Sequence, residues 1–186
     1  VVDHCGHENT RVFRDVARLG TVLEKLDCVV GGYSNAKVAI VYDWENSWAI
    51  KHYCGFNNLK RDYVGECVKW YKPFYDKGIT VDVIPMDGDF SKYDLIIAPY
   101  LYMLKDGTID RIESYVRNGG KFVGTYLTGI VDEDDLCYLG GFPGAGLRPV
   151  FGIWNEEIDT LYPGESNKIE FDGVTYKAVD YCELIH

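Results

Sequence analysis

The residues best placed for chemistry directly follow a short apolar run, where two acids, Asp43 and Glu45, are interleaved with Trp44 and Trp48. Sugar rings stack on indole faces while carboxylates accept their hydroxyls, so this composition suits a carbohydrate site. Aromatic side chains are also enriched at subunit contacts, and an aspartate before a helix often caps it. We therefore consider a sugar site, a subunit contact and a helix cap, and we favour the subunit contact over the sugar site.

Two acidic clusters, 132–135 and Glu156-Glu157, could in principle supply a glycosidase acid and base. Such a pair needs two carboxyl groups roughly 5 to 10 Å apart across a sugar site. Adjacent acids on a turn are usually solvated instead. We interpret both clusters as surface charge and predict no catalytic residue in them.

Three potential metal ligands, His4, Cys5 and His7, lie together near one end of the sequence. They do not make up a closed four-ligand site, so we predict no metal. The chain contains six cysteines, with no C-x-x-C spacing, and no N-x-[ST] sequon. We predict free thiols and a reducing, cytoplasmic location.

Nucleophilic catalysis and phosphate binding are the next possibilities. A hydrolase or amidotransferase of the predicted layout would place Cys or Ser at the turn after a central strand, but Gly124 to Gly129 reads GTYLTG. The Gly140 to Gly146 segment, GGFPGAG, does not follow a strand, and no P-loop motif is present. We therefore predict no cofactor. A free-standing enzyme or FMN binder is disfavoured because no hydroxyl-rich phosphate loop follows the first strand.

The elements that would position these residues alternate along the chain. Strands are predicted at Lys37–Tyr42, Ile79–Ile84, Asp94–Ala98 and Lys121–Tyr126, and helices at Val12–Leu26, Asp62–Lys77 (kinked at Pro73) and Asp106–Asn118. This alternation indicates an α/β fold with a mostly parallel sheet covered on both faces. We predict a three-layer, doubly wound, flavodoxin-like domain, with short antiparallel or mixed strands between Phe151 and Tyr181.

A flavodoxin-like strand order makes the first and third strands neighbours. Ligand crevices in such sheets lie at the carboxyl ends of the strands, where the order reverses. The loop predicted from Asp43 to Trp48 would then meet Tyr100 and Tyr102, which follow the third strand. We expect this edge of the sheet to be the functional one.

Charge and composition exclude several partners. The formal net charge of -10 opposes binding to a phosphate backbone or an anionic membrane. No apolar run approaches the roughly 20 residues of a membrane span. Fifteen tyrosines and four tryptophans suit neutral polyhydroxylated ligands or protein interfaces better.

Four strings occur in order along the chain: AKVAIVYDWENSWAI, YDLIIAPYLYML, GGKFVGTYLTGIVDEDDL and LGGFPG. Together they resemble the trimerisation domain of glycoside hydrolase family 42 β-galactosidases. The resemblance implies a fold like class I glutamine amidotransferases, without the nucleophile. It also implies a non-catalytic domain that assembles homotrimers, in an enzyme whose galactoside substrate and two catalytic glutamates lie on a preceding barrel.

The resemblance further divides the chain into an excised tail of that barrel with a lead-in helix, 1–30, and the trimerisation domain, 31–186. It makes the residues at the predicted edge candidates for a subunit interface or for the wall of a neighbouring subunit's pocket. These candidates are Asp43, Trp44, Glu45, Trp48, Tyr100 and Tyr102. The alternative is a carbohydrate-binding module that uses the same aromatic residues.

Overall fold

The computed structural model describes residues 2, 4–55 and 61–186, which form two compact units, Val1–Ser34 and Asn35–His186. Residues 1 and 3 of the predicted barrel tail lie outside the described residues. The first unit contains helix α1, Arg11–Glu24, which begins where the Thr10 hydroxyl accepts a hydrogen bond from the Phe13 amide at 3.3 Å. A 3-10 turn follows at Asp27–Val29. A helix is confirmed at the predicted place, although it ends well before Gly31.

Helix α1 buries none of its residues, although its apolar side chains recur at helical spacing. Between 43% and 55% of each remains exposed. They are Val12, Val16, Leu19, Val22 and Leu23, and Leu26 just beyond the helix is exposed to a similar extent. A periodic apolar stripe of this kind normally faces a core, and the first unit does not supply one.

The second unit is built on four parallel strands of four residues each: β1 (Val38–Val41), β2 (Val81–Ile84), β3 (Leu95–Ala98) and β4 (Lys121–Gly124). Their order is β2-β1-β3-β4, with β1 paired to both β2 and β3. Each predicted strand is confirmed, with its ends trimmed by one or two residues. The flavodoxin-like order is confirmed as well.

Both faces of the sheet are covered, which makes the domain three-layered. All four residues of β1 are buried. Ala39 and Val41 face one apolar cluster with Ile112 of the helix before β4. Val38 and Ile40 face another, against which Phe74 of the helix before β2 packs. The four-residue apolar run thus reflects burial on two sides, as expected for a central parallel strand.

The helices of this unit are α2 (Trp44–His52), α3 (Tyr63–Tyr75), α4 (Thr108–Arg117) and α5 (Leu147–Phe151). The predictions of α3 and α4 are confirmed. Helix α3 contains Pro73 and ends two residues beyond it. The loop predicted from Asp43 to Trp48 was wrong, because the chain enters α2 immediately after Asp43.

The C-terminal strands are β5 (Asn155–Thr160), β6 (Asn167–Phe171), β7 (Val174–Ala178) and β8 (Tyr181–Ile185). They form two antiparallel pairs, β5 with β8 and β6 with β7. The prediction of short extra strands is confirmed. In the described part of the chain, no helix is long and apolar enough to cross a membrane.

Candidate functional site

The predicted edge exists at the carboxyl ends of β1 and β3. The two strands pair in parallel, with Val38 opposite Leu95 and Ile40 opposite Ile97, so the segments that follow them emerge side by side. Helix α2 follows β1, and the Tyr100–Leu104 segment follows β3. The sequence correctly predicts which segments meet.

Asp43 is a buried junction at this edge, with 2% of its surface exposed. Its Oδ1 accepts the amides of Glu45 and Asn46 at 3.0 and 3.3 Å, which caps α2. Its Oδ2 accepts the Met86 amide at 3.4 Å and the Lys105 ammonium at 2.9 Å. The helix-cap interpretation is confirmed, and both carboxylate oxygens already have donors from this chain.

Lys105 is a residue that the sequence analysis missed. Its Nζ bridges Asp43 and the exposed Glu45, and so connects the segment after β3 to the first turn of α2. Desolvation lowers the pKa of Lys105, but hydrogen bonds to Glu45 and Asp43 outweigh it, and the pKa is raised overall. The ammonium therefore stays charged. No spacing rule predicts a partner 62 residues from Asp43.

Asn46 was missed as well, although it lies inside the motif. It is fully buried and joins α2 to the segment after β3. Its Nδ2 donates to the Tyr100 carbonyl at 3.0 Å, and its Oδ1 accepts the Met103 amide at 2.9 Å. The sequence signal for Asn46 was its position on the face of the helix that points toward the core, where a polar side chain needs a hydrogen-bond partner.

Tyr100 and Tyr102 belong to the core of the domain. Tyr100 is fully buried, and its ring centroid lies 5.1 Å from that of Tyr126. Tyr102 is 7% exposed and packs edge-on against Tyr53, and burial raises the pKa of Tyr102 to about 12. Tyr63, Tyr115 and Tyr181 are buried as well, so a third of the tyrosines that suggested a ligand surface are core residues.

Trp44 and Trp48 are the exposed part of the candidate site, with 64% and 54% of their surfaces open. Four residues apart on α2, they share one helix face. The Tyr42 ring supports the Trp44 ring edge-on at a centroid distance of 5.3 Å. The surface formed by Trp44, Glu45 and Trp48, here called the α2 surface, is an aromatic patch on a helix fixed from below.

The turn after β4 offers no nucleophile. Leu127 adopts a left-handed conformation (φ 53°), and its side chain is buried. The Thr125 hydroxyl accepts the Tyr100 amide at 2.7 Å, and the Thr128 hydroxyl donates to the Thr125 carbonyl at 2.7 Å. Both hydroxyls of this turn therefore serve the backbone.

The other residues considered for chemistry have different surroundings. Asp132 accepts the amides of Asp134 and Leu136 within its own turn, and Glu156 pairs with His186 at 2.6 Å. Over residues 4–55 and 61–186, no group of three or more His, Cys, Asp or Glu could hold a metal ion. All six cysteines are free thiols.

Glu183 of β8 reaches the turn after β4, where its Oε1 accepts the Leu127 amide at 3.3 Å. Desolvation raises the pKa of Glu183, against hydrogen bonds from the Leu127 amide and the Asn155 side chain. The folded state therefore holds this proton more tightly than the unfolded state does, where the pKa is about 4.3. The stability contributed by this group is complete below about pH 4 and is lost as the pH rises through the folded pKa.

Glutamine cannot ionise, so the Glu183→Gln variant does not lose this stability at higher pH. We expect its free energy of unfolding to rise relative to that of the native protein as the pH increases from about 4 through the folded-state pKa of Glu183. Urea denaturation at a series of pH values measures the difference in free energy of unfolding. Glu157→Gln, at an exposed position of β5, is the matched control and should show a smaller trend. A Glu183→Gln difference that is constant with pH would contradict the prediction.

Comparisons with known proteins agree with this architecture. A family model described as "Beta-galactosidase trimerisation domain" matches residues 36–186. The β-galactosidase Pbg of Clostridium perfringens is 52% identical over 193 aligned positions, which cover 100% of this chain and 28% of Pbg. The chain thus spans little more than a quarter of the length of this relative.

Solved structures give the same picture. The β-galactosidase from Rahnella sp. R3 matches with a TM-score of 0.80 at 46% identity, over 99% of this chain and 28% of that one. The enzyme from Bacillus circulans sp. alkalophilus matches with a TM-score of 0.79 at 45% identity, over 100% and 28%. The similarity extends over both units of the chain.

Proposed function

Since the chain belongs to the β-galactosidase trimerisation domain family, of which it is a non-catalytic member, we propose that it assembles a β-galactosidase into homotrimers. The whole protein would hydrolyse terminal β-D-galactosides with residues outside this chain. The observation that carries the assembly role is the pair of exposed tryptophans on a helix that buried polar contacts fix in place. The free thiols of the chain suit a cytoplasmic location within the same proposal.

The α2 surface has the properties of an interaction hot spot. Tryptophan is the residue most enriched where truncation weakens binding strongly, and a rigid support lowers the ordering cost of association. Here the support consists of the Asp43 cap and the two Asn46 hydrogen bonds. Glu45 already pairs with Lys105, so a partner can cover it without leaving its charge unpaired.

The same contacts favour a subunit contact over the sugar-binding alternative. A sugar site needs free hydrogen-bonding groups beside its aromatic face. Asp43 is buried and occupied, and Tyr100 and Tyr102 lie in the core. These three residues therefore support the α2 surface from beneath, and Trp44, Glu45 and Trp48 remain the candidates for the interface or for the wall of a neighbouring subunit's pocket.

The proposed domain division assigns 1–30 to the tail of a catalytic barrel with its lead-in helix, and 31–186 to trimerisation. The uncovered apolar stripe of α1 supports it. An isolated helix of 14 residues is marginal in water and normally depends on packing of its apolar face. A preceding barrel would provide that packing.

Replacing Trp44 and Trp48 together with alanine in the whole protein tests the proposal. Each truncation should cost about 2 kcal/mol of association free energy, which raises the dissociation constant about 30-fold. Light scattering over a dilution series should then show subunits smaller than trimers at concentrations where the native protein is trimeric. Tyr75→Ala, at a 67% exposed aromatic residue on α3, is the control and should leave the mass unchanged.

An unchanged mass together with unchanged galactoside kinetics in the double variant would contradict a role for the α2 surface. A trimer that persists with a raised KM would retain the pocket-wall role and exclude the assembly role.

A further inference from the structure

A small cavity of about 70 Å³ lies beside the turn after β4, within the second unit. Leu127 and Thr128 line it from that turn, Phe142 from the following segment, and Asn155 and Glu183 from the antiparallel pair β5–β8. A cavity of this size has room for one or more small polar molecules.

Asn155 presents an unpaired acceptor in this cavity. The residue is 7% exposed, and its Oδ1 has no hydrogen-bond partner among the described residues. Glu183 lines the same cavity, so the unpaired Oδ1 and the carboxyl group of Glu183 adjoin one space.

The other polar groups of the cavity also favour a donor. Glu183 adds a carboxylate of which one oxygen takes the Leu127 amide. The Thr128 hydroxyl gives its proton to the Thr125 carbonyl, which leaves its lone pairs as acceptors. An amide oxygen, a carboxylate and a hydroxyl acceptor around one partly open cavity complement a compact cation that carries several N–H donors.

We propose that this cavity binds ammonium or a primary ammonium group of similar size. The cation would donate to Asn155 Oδ1 and to the Glu183 carboxylate, so that the buried amide oxygen gains a partner and the half-buried carboxylate gains a counter-charge. The site is separate from the α2 surface and does not depend on the trimerisation proposal. Anions are disfavoured by the Glu183 charge, and cations without N–H donors cannot satisfy Asn155 Oδ1 by a hydrogen bond.

The melting temperature of the whole protein in ammonium chloride, compared with sodium chloride and tetramethylammonium chloride at equal concentration and pH 7, tests the site. A ligand that binds only the folded state at about ten times its Kd should raise the melting temperature by about 2 °C, with saturation. Sodium and tetramethylammonium should give no such saturable rise.

Glu183→Gln should abolish the ammonium-specific rise, and Asn155→Leu should do the same by removing the acceptor and filling the space. Glu157→Gln, which alters an exposed acid on the same strand as Asn155, should keep it. Should one of the two cavity variants fail to fold, the other decides. The absence of an ammonium-specific rise in the native protein would overturn the proposal and leave the cavity to water. A rise that persists in the cavity variants would overturn it as well.

Discussion

Asp43→Ala is expected to lower the free energy of unfolding by about 3 kcal/mol. Loss of a helix cap alone costs about 1 kcal/mol. The remainder arises because the Met86 amide loses its acceptor and the partly buried Lys105 loses one of its two carboxylate partners. Urea denaturation followed by far-UV circular dichroism measures the change.

Two controls separate these contributions. Asp62→Ala removes the cap of α3, where an exposed carboxylate accepts the Gly65 amide at 2.9 Å, and should cost only about 1 kcal/mol. Asp43→Asn keeps a capping side chain of the same size and should fall between the two. Equal costs for Asp43→Ala and Asp62→Ala would show that the contacts to Met86 and Lys105 contribute nothing.

Asn46→Ala is expected to cost a similar amount, about 3 kcal/mol, because it leaves the Met103 amide without a partner in the core. It also removes one of the two donors to the Tyr100 carbonyl, which keeps the Tyr102 amide. A buried group left unsatisfied costs about 1–3 kcal/mol. Thermal and urea unfolding should both show the loss. Asn167→Ala, at an exposed position of β6, should change stability by less than about 0.5 kcal/mol.

Asn46→Asp provides a further comparison. It keeps an acceptor for the Met103 amide, replaces the donor to Tyr100 with a second acceptor and buries a charge, so it should be at least as destabilising as alanine. A mild effect of both substitutions would mean that the segment after β3 is held by packing alone.

The strand order could be predicted from the sequence because it depends on local patterns along the chain. Four apolar residues from Val38 to Val41 mark a strand buried on both sides, and the alternation with helices then limits the topology. The boundary of α2 was missed because two tryptophans and two acids resemble a binding loop. An aspartate that accepts hydrogen bonds from the next backbone amides occurs both at the start of a helix and in a turn, so Asp43 alone does not distinguish the two.

The contacts beneath the α2 surface could not be read from the sequence, since they join residues far apart along the chain. Asp43 and Lys105 are separated by 62 residues, and Asn46 and Met103 by 57. The exposure of Trp44 and the burial of Tyr100 depend on the same long-range packing. The strand order therefore predicted which two segments meet, and the sequence left open which of their side chains are exposed.

The left-handed residues at the ends of β3 and β4 have a consequence for dynamics. Tyr100 (φ 47°) and Leu127 (φ 53°) each hold a conformation that bulky side chains disfavour. The amide of Tyr100 is retained by Thr125 in the other bend, and that of Leu127 by Glu183 on β8. Neither bend can change conformation alone without breaking a hydrogen bond to a neighbouring element. We therefore expect the two bends to fluctuate together and to present one preorganised shape to a partner.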